Sequence, residues 1–215
     1  MRGLGMKADA ESLSRFTFGV EHVFELMEKD PQLKKSFHEY MFVQQQWYPS
    51  AWFEIYPPAQ EFANLHCGPT HALIVDIGGD RGQKLVLFME QYPNHQGRLI
   101  LQDLPSTSIG ASIYIFRHTI HDWSDPKAEH ILRQLVSAMD PEKSTLLIVD
   151  RVMPEERAKL RDVELDMLMW RAVGGVERTE TQWERLLRNA GPELINVRRS
   201  PRLGDSVLEA RLAGR

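Results

Sequence analysis

The stretch from Leu73 to Asp103 leaves the rest of the chain the fewest choices. It opens with an apolar run, Leu73-Ile-Val-Asp-Ile77, and closes it with Gly78-Gly-Asp-Arg-Gly82. A short run rich in β-branched residues and ended by glycines reads as a buried strand entering a tight turn. Leu85, Phe88 and Met89 then recur at helical spacing, and Pro93 bounds the helix. A second apolar run, Leu99 to Leu101, delivers Asp103. Strand, glycine turn, helix, strand and acid make a βαβ unit of the kind that cradles a nucleoside. Asp103 falls about 20 residues beyond the turn, where a ribose-binding carboxylate belongs.

Glycine spacing narrows the nucleoside. The dinucleotide fingerprint G-x-G-x-x-G, begun at Gly78, needs glycines where the chain has Asp80 and Gln83, which argues against an NAD-dependent dehydrogenase. A carboxylate at the turn also repels the phosphates that a helix N-terminus attracts. S-adenosylmethionine (SAM) has a sulfonium cation and no phosphate, so acidic residues near it are less hostile.

Length allows one domain, or one domain with a helical extension: the chain has 215 residues. A net charge of −4 without a basic run argues against nucleic acid as a partner. The single cysteine, Cys67, excludes an internal disulfide framework and suits a reducing compartment. No apolar run reaches the about 20 residues that span a bilayer, and Met1 to Ser14 lacks the apolar core of a secretory signal. A cytoplasmic protein without membrane partners is the expectation.

Residues 1–65 read as a helical extension. Val20, Val23, Phe24 and Met27 form one stripe, Asp30-Pro31 a break, and Leu33, Phe37, Tyr40 and Met41 a second helix. Trp47, Tyr48, Trp52, Phe53 and Tyr56 read either as core or interface packing, or as one wall of a pocket for a flat substrate. From residue 66 to 215 strands and helices alternate. Ile113-Tyr-Ile-Phe116 is a strand, and Ser124 or Asp125 caps a helix with Pro126 in its first turn. Ile131, Leu132, Leu135, Val136 and Met139 face inward, and Thr145–Val149 is a strand delivering Asp150. A helix with Leu165, Leu168 and Met169 runs to Gly174-Gly175. Thr179-x-x-Gln182 is a capping box for a helix that buries Trp183, Leu186, Leu187 and Ala190 and stops at Gly191. Leu194–Val197 and Val207–Leu212 read as a closing hairpin. The alternation predicts an α/β fold: a doubly wound, mostly parallel, Rossmann-like sheet with helices on both faces and an N-terminal helical extension.

Candidates for chemistry stand at strand ends: His121, Asp150 and Glu177. Ligands of open α/β sheets sit at the carboxyl ends of strands, so the three can converge near Gly78–Gly82. His121 suits a general base, largely neutral near pH 7. Asp150 or Glu177 could fix its tautomer and stabilise the imidazolium. His118 competes for the role but faces elsewhere if its segment is helical.

Four motifs in order carry a resemblance: Val75-Asp-Ile-Gly-Gly-x-x-Gly82, Gly97-Arg-x-x-Leu-Gln-Asp-Leu-Pro105, Arg117-x-x-x-His-Asp-Trp-Ser-Asp125 and Gly174-Gly-x-Glu-Arg-Thr179. Over roughly residues 15 to 200 the chain resembles the SAM-dependent O-methyltransferases of plant and fungal natural-product pathways, in the class that uses a histidine base. The resemblance implies SAM as cofactor, held by Asp76, Gly78, Gly79, Gly82, Asp103 and Arg117. It implies His121 as the base that deprotonates a substrate hydroxyl, flanked by Asp150 and Glu177. The acceptor would be a hydroxylated small aromatic or polyketide-like metabolite, and no metal is assigned. Residues 1–65 would be what remains of a dimerisation and substrate-capping region, making a homodimer through the N-terminal helices, and 66–215 the catalytic domain. The family's helix and edge strand between residues 105 and 114 are expected to be missing, leaving a connection shorter than the dozen residues a parallel crossover normally needs. That shortening motivates an alternative: a methyltransferase-like protein without methyl transfer, a degenerate partner subunit or metabolite-shaping scaffold.

Overall fold

A computed structural model describes residues 19–20, 23–47, 52–57, 68–102, 108–200 and 204–213. Three helices come first: α1 (Val23–Lys29), α2 (Pro31–Trp47) and α3 (Trp52–Ile55). Asp30-Pro31 is more than a break. The Asp30 carboxylate accepts from the backbone N–H groups of Gln32 and Leu33 at 2.9 and 3.1 Å, which caps α2, and Pro31 supplies its first residue.

The sheet follows as β1 (Ala72–Ile77), α4 (Gln83–Gln91), β2 (Arg98–Gln102), β3 (Ile113–Arg117), α5 (Asp125–Val136) and β4 (Thr145–Met153). It continues with α6 (Leu160–Val173), β5 (Arg178–Thr179), α7 (Glu180–Ala190), β6 (Pro192–Arg199) and β7 (Asp205–Leu212). Strand order is β2-β1-β3-β4-β7-β6, with β5 beside β4. β2, β1, β3 and β4 are parallel, whereas β7 runs antiparallel to β4 and β6 antiparallel to β7. The expected hairpin therefore forms, but its second strand inserts beside β4 and both strands are longer than the apolar runs suggested.

Side chains of β1, β3 and β4 alternate between two cores, as the period of a strand demands. Val75, Tyr114, Phe116, Leu146 and Ile148 pack with α5 and α7 on one face. Ile74, Ile113, Ile115, Leu147 and Val149 pack with Leu85 and Phe88 of α4 on the other. Trp52, Phe53 and Tyr56 join this second core, with Trp52 stacked 5.8 Å from Phe88, so these three aromatics are core. Trp47 and Tyr48 lie outside the residues whose side chains are described, as do Met41 and Cys67. Met89 and Leu168 turn out to be exposed, at 43% and 50%.

Among the described residues β2 is the edge, paired only with β1, as the shortened connection to β3 requires. The described end of that connection has no helix. Instead the Tyr114 hydroxyl accepts from Ala111 N–H at 3.0 Å and lies 2.6 and 2.8 Å from the carbonyl oxygens of Ser108 and Ala138. β1 lies between β2 and β3, which places the topological switch point at its carboxyl end.

Candidate active site

The glycine turn begins there. Gly78 adopts φ +73°, a left-handed conformation that glycine enters without steric cost. Gly79 sits close against its neighbours: a Cβ on it would lie 2.4 Å from Asp76 Oδ2 and 2.8 Å from Leu101 Cδ1, so those side chains would have to shift. Asp76 is buried, and burial, opposed by Arg117, pushes its carboxyl up to about 6. Arg117, at the end of β3, approaches Asp205 Oδ2 at 3.9 Å, and its Nε is buried without a hydrogen-bond partner among the described residues. Gly82 caps α4 at φ +73°. Asp80 also takes positive φ and meets His38 of α2, Nδ1 to Oδ1 3.4 Å, so the N-terminal helices reach the turn. Asp103 lies outside the described residues.

One step along the sheet is the histidine. After β3 the chain makes a single 3₁₀ turn, Ile120–Asp122, closed by a bond from Trp123 N–H to the Ile120 carbonyl at 3.2 Å. Ile120 is fully buried and roots the turn. His121, 9% exposed, places Nδ1 2.9 Å from Asp150 Oδ1 and 3.3 Å from Glu177 Oε1. Asp150 closes the run of six consecutive buried residues that begins β4, and Glu177 precedes β5, its backbone N–H held by Asp166 Oδ1 of α6 at 2.9 Å. Neither carboxylate lies in line with the ring N–H, so the short distances describe a close ion pair rather than aligned hydrogen bonds. The three residues, distant in sequence, are thus brought into contact. The turn is near as well: a Cβ at Gly78 would meet Thr119 Oγ1, two residues before His121, at 3.2 Å.

Electrostatics acts on the ring in two directions. Burial alone drives the imidazole toward neutrality, but the negative charges of Asp150 and Glu177 outweigh it, so His121 titrates well above its ordinary 6.5. Burial likewise raises Asp150, yet His121 holds it below the usual carboxylate range. The ligand atoms of His121, Asp150 and Glu177 lie within 4.8 Å of one another, close enough to surround a cation. Both carboxylates face Nδ1.

Four more residues join the site, of which Asp205 and Lys84 gave no signal in the sequence. Asp122 Oδ1 sits 3.6 Å from His121 Nε2, and burial, opposed by His121, raises its carboxyl to about 7. His118 is not helical: it takes φ +49°, stacks on His121 at 5.6 Å and bonds Asp205 Oδ1 through Nε2 at 3.2 Å. Only the pairing of β7 against β4, with Asp205 opposite Arg151, brings Asp205 here. Lys84 of α4 is buried, and its ammonium is lowered to about 8 by burial and by Arg117, against Asp205 and Glu54.

A family model described as an O-methyltransferase domain matches residues 95–193. Demethylsterigmatocystin 6-O-methyltransferase of Aspergillus flavus is 33% identical over 195 residues, covering 80% of this chain and 49% of that one. The stcP demethylsterigmatocystin 6-O-methyltransferase of Emericella nidulans is 31% identical over 191 residues, covering 79% of this chain and 91% of its own length. The chain belongs to the SAM-dependent O-methyltransferase family. The structure of LepI in complex with SAM shares its fold, with TM-score 0.67 and 28% identity over 73% of this chain and 47% of LepI. The chain spans about half the length of several curated relatives it matches, 49% and 54% in two cases. For this family's cofactor the site has the right chemistry: a tight glycine turn without a dinucleotide fingerprint, carboxylates rather than phosphate donors beside it, and in Arg117 a buried N–H that a carboxylate could satisfy.

Proposed function

We propose that the chain transfers the methyl group of SAM to a hydroxyl of a small aromatic or polyketide-like metabolite, with His121 as the general base. One observation carries this reading: Nδ1 of His121 is engaged by two buried carboxylates, which leaves Nε2 as the ring nitrogen able to take a proton. A phenol has a pKa near 10, so at neutral pH a base must remove its proton as the oxygen attacks. A raised imidazole pKa narrows that gap, and Asp150 and Glu177 stabilise the imidazolium that forms. SAM, when bound, supplies an electrophilic methyl group. Asp76, Gly78, Gly79, Gly82, Arg117 and Asp103 would hold it, the glycines by letting the backbone approach closely. Burial of His121 and Asp150 keeps water from the base. The fungal relatives named for 6-O-methylation of demethylsterigmatocystin support an acceptor of polyketide type.

Residues 1–65 are read as the capping extension and 66–215 as the catalytic unit, with a homodimer formed through the N-terminal helices. Phe24 of α1 lies 6.2 Å from Trp123 beside the base, which supports a capping role. No helix among the described residues is long and apolar enough to cross a membrane, and a cytoplasmic location is proposed. The test is transfer of labelled methyl from SAM to a panel of hydroxylated aromatics. Substituting His121→Ala should lower the rate by about 10²–10⁴-fold. An unchanged rate would remove His121 as base, and SAM binding with no transfer to any acceptor would favour the alternative, a protein without methyl transfer.

A further inference from the structure

The residue after Glu177 turns the other way. Arg178 is 1% exposed, and its guanidinium spans the loop that carries His121. Nη1 donates to the Ile120 carbonyl at 3.3 Å, and Nη2 to the Trp123 carbonyl at 2.7 Å. Nε donates to Asp125 Oδ1 at 2.9 Å, and the group lies 5.1 Å from the centroid of the Trp183 ring. Between those two carbonyls the His121 carbonyl accepts from Val176 N–H at 2.8 Å. The segment that delivers Glu177 therefore also grips the 3₁₀ turn at both ends and in the middle. Successive residues of a strand face opposite sides, so Glu177 meets the imidazole while Arg178 holds the backbone on which that imidazole is mounted.

We propose that Arg178 is a positioning residue of the reaction: by tying the carbonyls of Ile120 and Trp123 to Asp125, it keeps His121 seated between Asp150 and Glu177. The role needs a planar fork. A lysine could satisfy one partner as a point charge but not two carbonyls and a carboxylate together. The rigid guanidinium fixes distances that a single turn of 3₁₀ helix, with its two internal bonds, does not fix by itself. This inference rests on His121 being the base.

The experiment compares wild type with Arg178→Lys, and with Asp125→Asn, which disturbs the same guanidinium from its half-exposed rim. Two measurements are made on each protein: NMR titration of the His121 ring, and the pH–rate profile of methyl transfer. The groups facing His121 are Asp150 from β4, Glu177 before β5, Asp122 on its own turn and His118 after β3. Loosening the turn separates the ring from Asp150 and Glu177. The ring pKa should then fall by about one unit in Arg178→Lys and less in Asp125→Asn. The acid limb of the rate should move down with it, while kcat drops about tenfold or more and the KM for SAM changes little. An unmoved ring pKa, or a rate lowered equally at every pH, would overturn the proposal. If Arg178→Lys does not fold, Asp125→Asn decides. If wild type transfers no methyl group, the NMR titration still judges Arg178 while the functional reading falls by itself.

Discussion

Replacing Gly175 by alanine measures how little slack the His121 turn has. A Cβ at position 175 would lie 2.2 Å from the carbonyl oxygen of His121 and 3.0 Å from Asp122 Cα. Carbon–oxygen contacts settle at about 3.3 Å or more, so one backbone must retreat by about 1 Å. The obstructing atoms are backbone, and no rotamer change relieves them. The bond from Val176 N–H to the same carbonyl ties the two segments together, so the displacement passes to His121 on one side and Glu177 on the other. A misplacement of about 1 Å in a catalytic group costs about 10²-fold in rate. Overpacking costs about 1–3 kcal/mol, which a domain stable by about 5–15 kcal/mol survives. Steady-state methyl transfer should therefore show kcat about 100-fold lower. Calorimetry should show SAM affinity nearly unchanged, because the glycine turn is a separate contact. Gly68→Ala, with nothing within 4 Å of the added carbon, serves as the control. A folded Gly175→Ala protein with kcat within about threefold of wild type would refute the reasoning, since that is less than about 1 kcal/mol of barrier.

Three further outcomes follow from the packing and charges. Trp52→Ala empties a 2%-exposed site against Phe53 and Phe88 and should cost about 3–5 kcal/mol in urea unfolding, with the N-terminal helices losing protection first in hydrogen exchange. Thr179→Ala breaks the reciprocal capping box with Gln182 and should cost about 1 kcal/mol, read from the urea midpoint at constant slope. His121 has a folded pKa above its unfolded 6.5, so its contribution to stability is complete below 6.5 and is lost as pH climbs through the folded value. Unfolding free energy measured from pH 6 upward should accordingly fall more steeply in wild type than in His121→Gln; parallel curves would contradict the raised pKa.

Much of this architecture is local enough to be legible in residues alone. The run Leu73–Ile77, the glycines behind it and the Thr179–Gln182 box each specify a short piece of backbone through sterics or hydrogen bonds within a few residues. Pro126 in the first turn of α5, the left-handed Gly174 that ends α6 and the inward face of α7 were fixed in the same way. The candidates His121, Asp150 and Glu177 could be nominated because parallel strands all deliver their carboxyl ends to one side of the sheet. What residues alone could not reveal depends on neighbours in space. The raised pKa of His121 follows from two buried carboxylates at 2.9 and 3.3 Å, distances no sequence interval encodes. Asp205 reaches His118 only because β7 inserts antiparallel beside β4, and Arg178 reaches the His121 turn only because β5 docks on the same strand. Local sterics act over a few residues and can be read in order; burial and Coulomb energies are summed over whatever folding brings near, and need the assembled sheet to be known.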